Sequence, residues 1–167
     1  MSSNDIVLFY GVGDEYGYMS NFAKYPIIID GVRFSCNEQY IMWSKAKLFS
    51  QDNWAVYIMS LDKPSMMKSA GRAVKNFDEK KWSDAVERIA DNCNLAKFTQ
   101  HPELQKKLLA TGDSLLAEAA MDDPIWGIGV GKAKGKDPKN WRGKNILGNS
   151  LMRVREVLRT IPVLAKE

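Results

Sequence analysis

Ile27-Ile28-Ile29 and Val32-Arg33-Phe34 stand on either side of Asp30-Gly31, and no other feature constrains the fold as strongly. Asp-Gly accepts the left-handed backbone of a two-residue hairpin turn, and the flanking triplets are rich in β-formers. The stretch is therefore predicted to be an antiparallel hairpin. Ile6-Val7-Leu8-Phe9-Tyr10 reads as a buried strand before it. Beyond the hairpin the chain is mostly helical in pattern. The expected architecture is α+β: one mainly helical domain, spanning 1–167, packed around a small N-terminal antiparallel sheet.

The helices follow from spacing and punctuation. Ser35 with Glu38 three residues on fits a capping box that opens a helix running toward Phe49. Short helices are expected near 51–60 and 63–70, the second entered at Pro64 and stopped at Gly71. From Asp78 a long helix carries Trp82, Val86, Ile89, Cys93 and Ala96 as an apolar stripe, which reads as core. Pro102 to about Ala110 is a further helix, and Leu115–Ala119 a candidate short strand. A last helix begins near 146, buries Ile146, Leu147, Leu151, Val154 and Leu158, and is expected to end at Pro162.

Composition removes several function classes. With 45% apolar and 26% charged residues in 167, the chain is ordinary for a globule with a real core. No apolar run has the length of a membrane span. Met1-Ser2-Ser3-Asn4-Asp5 lacks the basic-then-apolar pattern of a secretory signal, so a cytoplasmic protein is expected, with Cys36 and Cys93 as reduced thiols in helices. No Cys/His cluster has metal-ligand spacing, and the single histidine, His101, sits in a helix-to-helix turn. Neither a metal nor a cofactor is expected.

Charge is concentrated. Residues 132–144 hold Lys132, Lys134, Lys136, Lys139, Arg142 and Lys144 against Asp137, a net +5 in a chain totalling +4, so the remainder carries −1. Two readings stand for this segment: a solvated flexible loop, or a clamp in which residues such as Lys132 and Lys134 hold phosphates or a nucleic-acid backbone.

Glu38 and Lys45 are seven residues apart, two helical turns, and so share a face with Ile41 and Met42 between them. At a pocket wall, desolvation raises an acid and lowers a lysine, which equips the pair for acid–base and amine chemistry. The structural alternative is a helix-capping glutamate and a surface lysine. Asp122-Asp123-Pro124-Ile125-Trp126 offers a second carboxylate, as glycosidic hydrolysis requires, beside a ring able to stack on a base; it also reads as an ordinary turn. Arg72 suits phosphate pairing or a helix end. Gly127-Ile128-Gly129-Val130-Gly131 fails the spacing of a dinucleotide fingerprint; either a turn or a close backbone approach to phosphate accounts for it.

Together these motifs resemble the NADAR family, which includes YbiA-like N-glycosidases. The resemblance runs over Tyr16-Gly17-Tyr18-Met19-Ser20-Asn21-Phe22, Asp30-Gly31, Glu38-Gln39-Tyr40 with Lys45, and Gly71-Arg72. It continues through Ala96-Lys97-Phe98, Leu108–Thr111, Asp123 with Trp126-Gly127, and Asn145–Gly148 to Leu151-Met152, covering about 6–159. It implies hydrolysis of N-glycosidic bonds. Two substrate classes follow from it: phosphorylated ribosylamino-pyrimidine intermediates of riboflavin synthesis, and ADP-ribose on guanine in nucleic acid. It implies catalytic roles for Glu38, Lys45 and Asp123, with Lys45 trapping the opened sugar as an imine. It places Tyr18, Ser20, Asn21, Phe22, Gly127 and Asn145 in the substrate site beside Arg72 and Trp126. Two departures stand out: Met42-Trp43-Ser44 replaces the family's frequent Gln-Ala-Gln, and the 132–144 segment is longer and more basic than in small-substrate members. A module that binds ADP-ribose or NAD without turnover is the alternative from another class.

Overall fold

The computed structural model describes residues 5–161. Among the described residues are two small sheets and seven α-helices: β1 (Ile6–Phe9), β2 (Ile27–Ile29), β3 (Val32–Phe34), α1 (Asn37–Leu48), α2 (Asp52–Met59), α3 (Pro64–Arg72), α4 (Glu79–Gln100), α5 (Pro102–Leu109), β4 (Leu115–Glu118), α6 (Lys132–Gly135) and α7 (Ile146–Thr160). The α+β class and the mainly helical character agree with expectation.

The sheet is divided. β2 and β3 form the antiparallel hairpin, pairing Ile27 with Phe34 and Ile29 with Val32. Asp30 and Gly31 both take positive φ, at 50° and 77°, as a mirror-image hairpin turn requires. β1 does not join that hairpin. It pairs in parallel with β4, Ile6 opposite Leu115 and Phe9 opposite Glu118. A parallel partner must come from far along the chain, so no local pattern advertises it. β1 also alternates in burial, with Tyr10 just beyond it exposed, where a fully buried strand was expected.

Two apolar clusters hold the domain together. One packs α1 through α4 against the hairpin around Ile41, Ile58, Met67, Ala90 and Cys93. The other packs β1 and β4 against α5 and α7 around Phe9, Phe98, Leu104, Leu116 and Leu151. Trp126 touches both clusters. The expected stripes on α4 and α7 are buried at every named position. The expected helix stop at Pro162 lies outside the described residues. Among the described residues, no helix is long and apolar enough to cross a membrane.

The start of α1 departs from the expected capping box. Cys36, which was expected inside a helix, is the residue before it and makes no side-chain cap. Gln39 reaches back instead: its Oε1 accepts from Ser35 N–H at 2.7 Å, while its Nε2 donates to Ile58 O at 3.1 Å. The Glu38 N–H, one of the helix's unpaired donors, is satisfied by Asn21 O at 3.0 Å. Glu38 is thereby released from capping, and its side chain is free to face elsewhere. Ile41 also differs from expectation: it turns into the core, and Met42 alone lies between Glu38 and Lys45 on the cleft-facing side.

Candidate active site

The face of α1 that carries Glu38, Met42 and Lys45 opens onto a cleft of about 630 Å³. Residues of α3 form the adjoining wall: Ser65, Lys68, Ser69 and Arg72 recur at helical spacing and all line it. Ser20, Asn21 and Phe22 close one side, and Glu118, Asp123 and Trp126 close another. α1 and α3 approach closely because residue 71 is glycine. A Cβ at Gly71 would overlap the Met42 thioether.

Glu38 is only 6% exposed. Burial pushes its carboxyl up to about 8, the Glu118 and Asp123 carboxylates add to the rise, and Lys68 and Arg72 oppose it. Glu118, at the end of β4, is likewise pushed up to about 7, chiefly by burial and then by Asp123. Two acids on one cleft therefore hold protons near neutral pH. Burial lowers the Lys45 ammonium, Glu38 opposes that change and Arg72 reinforces it. The Lys45 Nζ lies 4.8 Å from the Phe77 ring centre and 5.5 Å from that of Trp82. These aromatic faces favour the ammonium, whereas desolvation favours the free amine. The two influences on Lys45 therefore oppose each other, and burial is the larger.

Asp123 serves both structure and cleft. Its Oδ1 accepts from Trp126 N–H at 2.9 Å and Ile125 N–H at 3.1 Å, the turn its sequence predicted. Its Oδ2 faces Lys68 at 3.4 Å, and the Lys68 Nζ lies 5.9 Å from the Phe22 ring centre. Lys68, rather than Lys45, is the amine beside Asp123.

The 20–22 segment is fixed from behind. Lys97 is fully buried and donates to Ser20 O at 3.1 Å, with its Nζ 5.5 Å from the rings of both Tyr25 and Phe98. Burial lowers its ammonium to about 7. Ser20 Oγ accepts from Phe22 N–H at 3.1 Å, so the segment turns sharply enough to present Asn21 and Phe22 together.

Of the residues singled out in the sequence, Ser20, Asn21, Phe22, Glu38, Lys45, Arg72, Asp123 and Trp126 converge on the cleft. Tyr18, Gly127, Lys132, Lys134 and Asn145 do not line it. Tyr18 is buried edge-on against Phe98. Asn145 spends its amide on β4, donating to Leu116 O at 2.9 Å and accepting from Glu118 N–H at 3.3 Å, so it positions the strand that carries Glu118. Gly127 lets the 123–127 turn lie against β4, since a Cβ there would sit 2.7 Å from Glu118 O.

Lys132 pairs with Asp14. The basic segment is folded rather than a loose loop. Trp141 Nε1 donates to Gly135 O at 2.8 Å, and the Arg142 and Gly143 N–H groups both donate to Ile128 O at 2.8 Å. Sequence reasoning missed Glu118 and Lys68. The helical spacing of Ser65, Lys68, Ser69 and Arg72 was a usable signal for Lys68. Glu118 ends an apolar triplet and carries no such mark.

A mainly helical α+β domain with a cleft of buried acids beside a desolvated lysine defines an acid–base site. The chain belongs to the NADAR family, whose domain profile matches residues 8–159. It is 35% identical to an N-glycosidase of Acanthamoeba polyphaga mimivirus, over 93% of this chain and 98% of that one. It is 34% identical to the N-glycosidase YbiA of Escherichia coli, over 92% of this chain and 88% of YbiA. Protein irg-1 of Caenorhabditis elegans is 37% identical over 91% of this chain and 74% of its own length. The NMR structure of Escherichia coli YbiA superposes with a TM-score of 0.79 at 33% identity, covering 95% of this chain and 88% of that one.

Proposed function

We propose that this protein hydrolyses the bond between a base nitrogen and the anomeric carbon of a phosphorylated ribosyl group. The observation that carries the reading is Glu38: a buried carboxyl that keeps its proton to about pH 8, on the same helix face as a desolvated lysine. A module that only binds has no use for that pairing, whereas general acid catalysis depends on it.

In this mechanism the Lys45 amine adds to the anomeric carbon as the carbon–nitrogen bond breaks. The bonding electrons leave with the base, which takes the Glu38 proton. The adduct then opens: the bond from the anomeric carbon to the ring oxygen breaks, the ring oxygen takes a proton from the lysine nitrogen, and a protonated imine forms. Water hydrolyses it to the sugar aldehyde, which recloses, returning the free amine to Lys45 and the proton to Glu38. One water is consumed and one carbon–nitrogen bond is lost. Asp123, anchored by two backbone N–H groups, supplies negative potential toward the positive charge that develops on the sugar. Trp126 offers a ring for the base, and Lys68 and Arg72 offer cations for phosphate. Lys132 and Lys134 lie off the cleft and have no part in this step.

Two substrates fit: a phosphorylated ribosylamino-pyrimidine, and ADP-ribose joined to guanine in nucleic acid. Purified protein incubated with each is expected to release ribosyl phosphate or ADP-ribose, read by mass spectrometry. Borohydride added during turnover is expected to leave a sugar adduct on Lys45. Lys45→Ala should cut the rate by about 10²–10⁴, the usual scale for such a group. Undiminished turnover by that variant on both substrates rejects the imine step, and absence of product from both rejects the function. For the nucleic-acid substrate, a steep loss of binding with salt is expected only if backbone phosphates are held as well.

A further inference from the structure

Glu118 ends β4 and lines the cleft, yet cleavage of the base–sugar bond gives it no task. Its backbone is held along both edges of the strand. Glu118 N–H donates to Asn145 Oδ1 at 3.3 Å, and Glu118 O accepts from Ile128 N–H at 2.9 Å. The next N–H, that of Ala119, donates to Phe9 O at 2.8 Å. The side chain is left free by contrast. Among the described residues, no group hydrogen-bonds or ion-pairs with the Glu118 carboxyl. A half-buried carboxyl without a protein partner is destabilising, and on a rigid strand end it marks a group kept for what enters the cleft. Asp123 beside it differs: one oxygen is anchored by two backbone N–H groups and the other faces Lys68. Of the shielded carboxyls on the cleft, Glu38 and Glu118 are the two whose oxygens have no protein partner.

The imine route needs a proton carrier more than once. When the base leaves it takes the Glu38 proton, so Glu38 faces the imine as a carboxylate. Water adding to the imine carbon must then lose a proton, and the lysine nitrogen must gain one before it can leave. Glu38 shares a helix with Lys45, whereas Glu118 comes from β4, on a separate wall. Burial and the Asp123 charge hold the Glu118 carboxyl at about 7. Near neutral pH it is therefore present both as base and as acid, the condition for receiving a proton and passing it on.

We infer that Glu118 is a further catalytic residue, the proton carrier for hydrolysis of the lysine imine. Its carboxylate takes a proton from water as the water oxygen bonds to the imine carbon. It hands that proton to the lysine nitrogen, and the carbon–nitrogen bond breaks with its electrons going to nitrogen. The hydroxyl left on that carbon gives its proton to the Glu38 carboxylate as the aldehyde forms. Glu118 ends as a carboxylate, Glu38 as an acid and Lys45 as a free amine. The inference rests on the imine reading of the cleft.

Rapid-quench measurement of base release, with intact-protein mass spectrometry, separates the two halves of the reaction on the two substrates named above. Glu118→Gln is expected to release a burst of base, stoichiometric with protein, at the wild-type rate. Its steady rate should then fall about 10²-fold or more, while a ribosyl adduct accumulates on Lys45 without borohydride. Glu38→Gln is expected to lose the burst itself. The inference is overturned if Glu118→Gln keeps the wild-type steady rate, or if its burst and steady rate fall together. Should the amide variant fail to fold, Glu118→Ala gives the same comparison. Formate, a small carboxylate, is expected to raise the steady rate of Glu118→Ala, and no rise overturns the inference too. Wild type that releases base but yields no borohydride adduct rejects the imine reading, and the inference falls with it.

Discussion

Glu38→Gln is expected to make this protein inactive and, at alkaline pH, more stable. The amide keeps the size of the carboxyl but cannot ionise. In the folded wild type Glu38 titrates at about 8, against an ordinary value of 4.5. Its folded pKa is raised, so its contribution is full below pH 4.5 and is lost as pH climbs toward 8. Over that interval the folded chain holds a proton that the unfolded chain has released, and stability falls with pH. Between pH 5 and pH 9 the loss comes to about 4 kcal/mol, at about 1.36 kcal/mol per unit. The variant escapes this loss, while titrating groups out of reach of the Glu38 charge change equally in both proteins. Urea denaturation of both proteins at pH 5, 7 and 9 measures the difference. The gap between them should move by about 4 kcal/mol in favour of the variant across that range, while turnover drops about 10²–10⁴. Parallel stability curves from pH 5 to 9 would refute the reasoning, because they would mean that Glu38 is solvated and ionised like a surface glutamate.

Three further outcomes are expected. Lys97→Met removes a group whose folded pKa is depressed to about 7; wild type should gain stability over the variant as pH rises from 7 toward 10.5, measured by thermal denaturation at several pH values, and a flat difference would contradict this. Gly71→Ala should cost about 1–3 kcal/mol by driving a methyl into the Met42 thioether, and adding Met42→Ala should recover part of it in a double-mutant cycle. Asn145→Ala should cost about 1–3 kcal/mol by leaving Leu116 O and Glu118 N–H without their side-chain partner. It should also lower turnover with little change in substrate binding, which separate kcat and KM measurements would check.

Much of the site was readable because it follows helical period. Glu38, Met42 and Lys45 share a face by arithmetic, and so do Lys68 and Arg72. The turn at Asp123 followed from its residues, and its bonds to Ile125 and Trp126 are those such a turn makes. Glu38 as a helix cap and Glu38 as a pocket acid were indistinguishable in the sequence. The difference lies in Asn21 O and Gln39 taking over the cap, and Asn21 is remote from that turn in the chain. Lys132 and Lys134 looked like phosphate holders because charge is visible in a sequence and direction is not. Lys132 turns to Asp14, more than a hundred residues away.

The sequence alone determined the hairpin, the order of the helices other than α6, and the buried stripes of α4 and α7. Each depends on interactions between residues a few positions apart, and local period and turn chemistry encode those directly. The tertiary structure decided the parallel pairing of β1 with β4, the meeting of Glu38 with Glu118 and Asp123, and the closure of Lys97 behind Ser20. It also decided which acids keep their protons. Desolvation is produced by all the atoms that exclude water from a group, and those atoms come from elements spread along the whole chain.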